Sequence, residues 1–271
     1  MPELPEVENI VRRLRRPLIG RTITAVQVYW PRTIARPSID AFSQQLTGLR
    51  IRAIDRRAKY LVFELGTRPT PAAYLLIHLK MSGQLDVVSR ERPIDKHDRV
   101  IFDLSGGRQL RFNDMRKFGR MYLVEAIEAV TAQLGPEPLS DEFTLPVFRR
   151  LIAGRTGRLK SLLLDQRFIA GVGNIYADEA LWLARLHPLR RADSLSDAEV
   201  RALYRGIRAA LNDGIRHNGA TFDRVYRSGE YEFRVYGRAG QPCRRCKRPI
   251  HKIAVGQRGT HFCAHCQRLK G

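Results

Sequence analysis

The chain has 271 residues, 44% of them hydrophobic, which is enough for two domains or one large one with a real core and too apolar for a disordered chain. With 48 Lys and Arg against 27 Asp and Glu the formal net charge is +21 and the pI about 10.7, so the expected partner is a polyanion, nucleic acid ahead of a membrane surface. No apolar run is long enough to span a membrane, no single basic amphipathic helix stands out, and the acidic start lacks the apolar core of a secretory signal, so a reducing, cytoplasmic setting is expected.

The chain opens MPELPEVENIV, with Pro2, Pro5 and three glutamates in its first eight residues. One reading is helix-start chemistry, since proline suits a first turn and acidic side chains complement the helix dipole. The other is that the terminus itself is the reagent. Val7, Ile10, Val11 and Leu14 fall at i, i+3, i+4 and i+7, which predicts an amphipathic helix with a core-facing stripe, stopped at Gly20.

Between residues 22 and 125 the period changes. TITAVQVYW, RIRAIDRR, KYLVFEL, AAYLLIHL, QLDVV, RVIFDL, RQLRFND and GRMYLVE are short runs rich in β-branched and aromatic residues, separated by turn signals such as SGG. Eight strands at this spacing predict a β-sandwich or barrel. LGPEPLS (134–140) reads as a linker, and helical patterns follow in FTLPVFRRLIAG, RLKSLLLDQ and SDAEVRALYRGIRAALNDGIRHNG. In the last, Ser196 and Glu199 form a capping box, Val200, Leu203, Ile207, Leu211 and Ile215 the stripe, and Gly219 lies past the end.

The four cysteines sit in the last 29 residues as Cys243-x2-Cys246-x16-Cys263-x2-Cys266. Each pair places two thiolates on one knuckle, and two knuckles complete a tetrahedral site for one zinc ion, structural because protein fills every position. GVGNIYADEAL (171–181) reads as a turn opening a helix: Gly171 and Gly173 permit close backbone approach, the helix offers free N–H groups to an anion, and Asn174 adds a donor. In a chain this basic the expected anion is a nucleic-acid phosphate, against the plainer reading of an ordinary helix connection.

Taken in order, MPELPEVE, RRAKYL (56–61), HLKMSG (78–83), KHD (96–98), DMRKFG (114–119), LGPEPLS, GVGNIYADEAL, VYGR (235–238) and the four-cysteine module resemble the formamidopyrimidine-DNA glycosylase / endonuclease VIII superfamily over essentially the whole chain. The resemblance implies an α+β multidomain enzyme. An N-terminal β-sandwich with an N-terminal helix would occupy 1–132, a helix–two-turn–helix domain 133–234 and a zinc finger 235–271, with double-stranded DNA in the cleft between the two main domains. It implies a monomer, nucleoid-associated if bacterial, that excises oxidised bases and cuts the strand at the abasic sugar.

Under that resemblance, removal of Met1 leaves Pro2 with a secondary α-amine, whose unperturbed pKa of about 7.7–8.0 keeps a useful neutral fraction where a lysine starts from about 10.4. Pro2 matches the nucleophile, Glu3 the partner acid/base, Lys59 a proton donor in β-elimination and Arg258 the finger arginine that grips phosphates and assists δ-elimination; Glu6 is close enough to be a second carboxylate. His97, Arg116, Arg155, Lys160 and Asn174 match DNA-contact positions, Arg155 standing where many relatives have lysine. Met81, Arg116 and Phe118 match the trio that fills the hole left by a flipped base, which favours the formamidopyrimidine branch. The stretch before VYGR departs from that branch: residues 226–234 are short, with Ser228-Gly229 the one obvious turn, so the loop that caps 8-oxoguanine is expected to be truncated and lesion preference broad. A non-catalytic reader of damaged DNA on the same fold is the alternative. An RNA-binding zinc-ribbon protein accounts for the charge and cysteines but not for Pro2-Glu3.

Overall fold

The computed structural model describes residues 1–67, 71–220 and 229–269. They fall into two compact units, residues 1–2 and 6–133 in the first and 3–5, 134–220 and 229–269 in the second.

The first unit is the strand-rich one. Helix α1 (Leu4–Leu18) starts three residues before the predicted stripe and buries Val7, Ile10, Val11, Leu14 and Leu18, with Gly20 beyond its end in a left-handed conformation (φ +90°). Strands β1 (Ile23–Val28), β2 (Ile34–Arg36), β3 (Ile51–Arg57), β4 (Tyr60–Leu65), β5 (Ala73–His78), β6 (Gly83–Ser89), β7 (Asp98–Leu104), β8 (Arg108–Asp114) and β9 (Arg120–Val124) form two sheets, ordered β1-β7-β8-β6 and β2-β9-β5-β4-β3. All pairings are antiparallel except β2 with β9. The two-residue alternation explains the sandwich: Leu61, Phe63, Leu75, Ile77, Met121 and Leu123 on one sheet and Val100, Phe102, Leu110 and Phe112 on the other enter a single core with the stripe of α1. Register supports it, since Phe63 faces Leu75 and Val100 faces Phe112 across neighbouring strands.

All eight predicted strands are present. Strand β2 and helix α2 (Ile39–Leu46) were not anticipated. Ser38 caps α2 by accepting from Ala41 N (3.4 Å), and Phe42 and Leu46, one turn apart, bury its face. A short helix α3 (Glu128–Thr131) closes the unit.

The second unit holds α4 (Leu145–Ile152), α5 (Leu159–Leu164), α6 (Asn174–Ala184), α7 (Asp197–Arg216) and the hairpin β10 (His251–Val255) and β11 (Arg258–Phe262). Helix α6 is apolar on nearly every face and is wrapped by the others. On α7 the capping box forms in both directions, the predicted stripe is packed inward, and Asn218 and Gly219 turn left-handed past its end. Of the segment 226–234 singled out as a short capping loop, residues 226–228, with Ser228 of its one obvious turn, lie outside the described residues. No helix among the described residues is long and apolar enough to cross a membrane.

Candidate active site and DNA-binding surface

In the second unit the Gly-x-Gly turn does hold an anion, but the anion is Glu3. Its Oε2 accepts from Gly173 N (2.8 Å) and Tyr176 N (3.3 Å), and Oε1 accepts from Ile175 N (2.9 Å), so the carboxylate sits on the N-terminus of α6. Leu4 N donates to Gly171 O (3.0 Å). The glycines make room for these two residues: a Cβ on Gly173 would lie 2.4 Å from Glu3 Cδ, and one on Gly171 2.8 Å from Leu4 Cδ1. The reading of this turn as a phosphate cradle is therefore corrected, because three of the amides it counted on are occupied by the chain's own terminus. Pro2 precedes this fixed residue and is buried; Glu6 is buried in the first turn of α1.

Lys160 is also corrected. Its ammonium is fully buried and donates to Asp178 Oδ1 (2.6 Å) and Asn174 O (2.8 Å), so it cannot touch a phosphate from the surface. Burial pushes its pKa down and the Asp178 carboxylate opposes the fall. Asp178 Oδ2 accepts from His261 N (2.8 Å) on β11, and Asn174 Nδ2 donates to Gly259 O (2.9 Å). The pair thus fastens the finger hairpin to the start of α6. Asn174 Oδ1 is a buried acceptor with no partner among the described residues. Lys160→Met is expected to cost about 3–5 kcal/mol in a denaturant melt by stranding a buried carboxylate. A surface phosphate contact would instead weaken DNA binding and leave the melt unmoved.

Arg258 is exposed beside the tight Gly256-Gln257 turn, whose residues take φ +53° and +60°. Arg155 is exposed after α4 with its guanidinium 6.0 Å from the Phe168 ring. The four cysteine sulfurs lie within 4.8 Å of one another, with 4.0 Å from Cys243 to Cys266 and 3.5 Å from Cys246 to Cys263. A tetrahedral zinc–thiolate site with bonds of about 2.3 Å has sulfur–sulfur edges of about 3.8 Å, so the set fits one zinc ion. The Trp182 indole N–H points at Cys243 Sγ (3.4 Å), tying α6 to the site.

In the first unit Lys59 lies in the two-residue turn between β3 and β4. Arg57 pairs with Tyr60, Ala58 takes φ +54°, and Lys59 is 5% exposed. Met81, Arg116 and Phe118 stand exposed on two loops, Met81 at 38% and Phe118 at 53%. His97 is half-buried, with Nδ1 accepting from Arg99 Nη2 (3.1 Å). An arginine can only donate, so Nε2 carries the His97 hydrogen.

His78 heads the HLKMSG loop. Its Nδ1 accepts from Lys80 N (3.0 Å), its ring packs on Tyr60, and burial, helped by the Lys80 and Lys59 cations, holds its pKa down at about 3. A histidine depressed in the folded state contributes stability in full above its unfolded value of about 6.5 and loses it as pH falls toward the folded value, at up to about 1.4 kcal/mol per pH unit. His78→Asn keeps an acceptor for Lys80, so thermal melts between pH 7.5 and 5 should show the wild type losing stability more steeply than the variant.

Sequence reasoning missed Asp178 and Glu179. Glu179, fully buried, accepts from the backbone N–H of Arg234, Val235 and Tyr236 (2.9–3.0 Å) and from the Tyr231 hydroxyl (3.0 Å). The available signal was two adjacent acids inside the otherwise apolar NIYADEALWLA.

A β-sandwich opening on Pro-Glu, a helical domain and a four-cysteine finger define a class of modular protein, and three family models match it in order. They are the formamidopyrimidine-DNA glycosylase N-terminal domain over residues 1–121, the formamidopyrimidine-DNA glycosylase H2TH domain over 134–225, and the zinc finger found in FPG and IleRS over 240–269. The chain belongs to the formamidopyrimidine-DNA glycosylase family. It is 46% identical to the formamidopyrimidine-DNA glycosylase of Herpetosiphon aurantiacus, covering 98% of this chain and 100% of that one. The enzyme of that name from Protochlamydia amoebophila is 43% identical over 99% and 100%. Among solved structures, Lactococcus lactis Fpg bound to DNA containing N7-benzyl-Fapy-dG has a TM-score of 0.91 at 35% identity, covering 99% of this chain and 100% of that one. The same enzyme with DNA containing an abasic site has a TM-score of 0.91 at 35% identity, over 98% and 100%.

Proposed function

We propose that this chain is a bifunctional DNA glycosylase and abasic-site lyase that removes oxidised bases from duplex DNA. The observation that carries the reading is the seating of Glu3 on three backbone amides, which fixes the peptide immediately after Pro2. A terminus held this firmly suits a nucleophile that must meet a carbon at one angle.

Once Met1 is removed, the neutral Pro2 amine adds to the sugar C1′. The N-glycosidic bond breaks, its electron pair leaves with the base, and the base takes up a proton. The added amine gives up its N–H proton, and opening of the sugar ring then gives an iminium at C1′, with Glu3 carrying that proton to the ring oxygen. The iminium acidifies C2′–H; loss of that proton expels the 3′ phosphate, and Lys59 is the proton donor for this β-elimination. Loss of a second sugar proton expels the 5′ phosphate, assisted by the Arg258 guanidinium. Water then hydrolyses the iminium and returns the amine. His97, Arg116 and Arg155 grip the strand, and Met81, Arg116 and Phe118 fill the space of the extruded base. A structural zinc rigidifies the finger that carries Arg258.

Borohydride added during reaction with DNA carrying 8-oxoguanine or an abasic site should reduce the iminium to a stable amine and trap a covalent complex, with the cross-linked peptide at the N-terminus. Trapping at Lys59 would overturn the assignment. Tight binding of damaged DNA with no trapping would make the chain a non-catalytic reader.

A further inference from the structure

We propose that Asp114 is a positioning residue that sets the exposed trio Met81, Arg116 and Phe118 and locks it to His97, so that one buried carboxylate governs how the enzyme fills the hole behind a flipped base. The inference rests on the glycosylase reading above and adds a residue to its machinery.

Asp114 ends β8 with no exposure to solvent. Its Oδ1 accepts from Ser82 Oγ (2.5 Å) and Arg116 N (3.2 Å), and its Oδ2 accepts from Gly119 N (2.8 Å). One carboxylate thereby holds the residue after Met81, the backbone of Arg116 and the residue after Phe118. Ser82 Oγ also accepts from Arg116 N (3.1 Å), which joins the two loops directly.

The main chain of Asp114 serves the third loop. Its N–H donates to His97 O (2.9 Å), and its carbonyl accepts from Arg99 Nε (2.8 Å). The same guanidinium reaches Lys96 O (3.0 Å) and His97 Nδ1 (3.1 Å), fixing the imidazole with its Nε2–H available as donor. Packing leaves the loops no slack. The Phe112 ring lies where a Cβ on Gly83 (2.8 Å) or on Gly119 (2.3 Å) would fall, so both loops close directly onto one ring.

Holding two exposed apolar side chains on a fully buried charge is costly for a surface that merely meets water. It is suited to a wedge that must enter a base stack in a set geometry. Asp114 touches no reacting atom, so its effect falls on extruding a paired base and not on bond chemistry at the sugar.

The test compares single-turnover rates on two substrates: 8-oxoguanine paired in a duplex, which requires extrusion and void filling, and an abasic site in a single-stranded oligonucleotide, which requires neither. In Asp114→Asn one of the two acceptor oxygens is lost: if the remaining oxygen keeps Ser82 Oγ and Arg116 N, the NH2 faces the Gly119 N–H donor. Losing one charge-assisted hydrogen bond, worth about 2 kcal/mol, should slow duplex excision about thirtyfold while single-strand cleavage stays within about threefold. Ser82→Ala keeps the carboxylate and both N–H bonds and should give the same selective loss, about fivefold to tenfold; it decides the matter if Asp114→Asn does not fold. An equal fall on both substrates would reduce Asp114 to a plain structural role, and no fall on either would remove it altogether; each overturns the inference. Wild-type enzyme that releases no 8-oxoguanine from the duplex would instead sink the glycosylase reading.

Discussion

Gly173→Ala is expected to slow strand cleavage by about a hundredfold or more, although the substitution adds only one methyl group. The new Cβ would stand 2.4 Å from Glu3 Cδ and 2.5 Å from Oε1, inside the distance any carbon tolerates. Glu3 must then leave the start of α6 and surrender its bonds to Gly173, Ile175 and Tyr176. Glu3 is bonded directly to Pro2, so the nucleophile loses its aim. Misplacing a reacting group by about 1 Å costs on the order of a hundredfold in rate. The matched control is Gly157→Ala, where an added Cβ meets nothing within 4 Å. Borohydride trapping and abasic-site cleavage should both collapse in the first variant and persist in the second. If Gly173→Ala traps DNA at the wild-type rate, the cradle does not aim the nucleophile and the account of Glu3 fails.

That cradle marks the limit of what the sequence revealed. The glycines of GVGN were legible as a close approach at a helix start, and that physics was correct. What approached was not legible, because the partner lies 170 residues away in sequence. A phosphate and a glutamate are equivalent to an N-terminal dipole, and spacing cannot separate them. Lys160 failed for a related reason. Its place in RLKSLLLDQ is that of an exposed basic residue, and only the fold buries it against Asp178. The strands of the sandwich were readable because their apolar residues alternate over several positions. Helix α2 was not, since eight residues with Phe42 and Leu46 as the buried pair give too little periodicity to outweigh the strands around them. The cysteine module was readable in full, because ligand spacing is fixed by the metal rather than by tertiary context.

Zinc removal should produce the second large effect. The finger has little core of its own: Trp182, Val235, Cys243, Ile250 and Cys263 make up its buried cluster, and two of these are metal ligands. Domains with so few apolar contacts fold on their metal, and the metal's binding energy is their folding energy. In Cys246→Ser one of four sulfurs is lost, so the protein should release one zinc ion, and β10 and β11 should loosen from α6. Arg258 then leaves a fixed position, as do the contacts from Gly259 to Asn174 and from His261 to Asp178. DNA affinity is expected to fall about a hundredfold, or about 2.7 kcal/mol. The β-sandwich should stay folded, because its core shares no residue with the finger cluster. Trp182 offers a readout independent of DNA, since its indole N–H faces Cys243 Sγ and its ring lies 3.7 Å from the Arg245 guanidinium. Its emission should change as zinc is chelated and return when zinc is restored. A zinc-free protein that binds damaged DNA as tightly as the intact one would mean that the finger does not carry the grip on the strand.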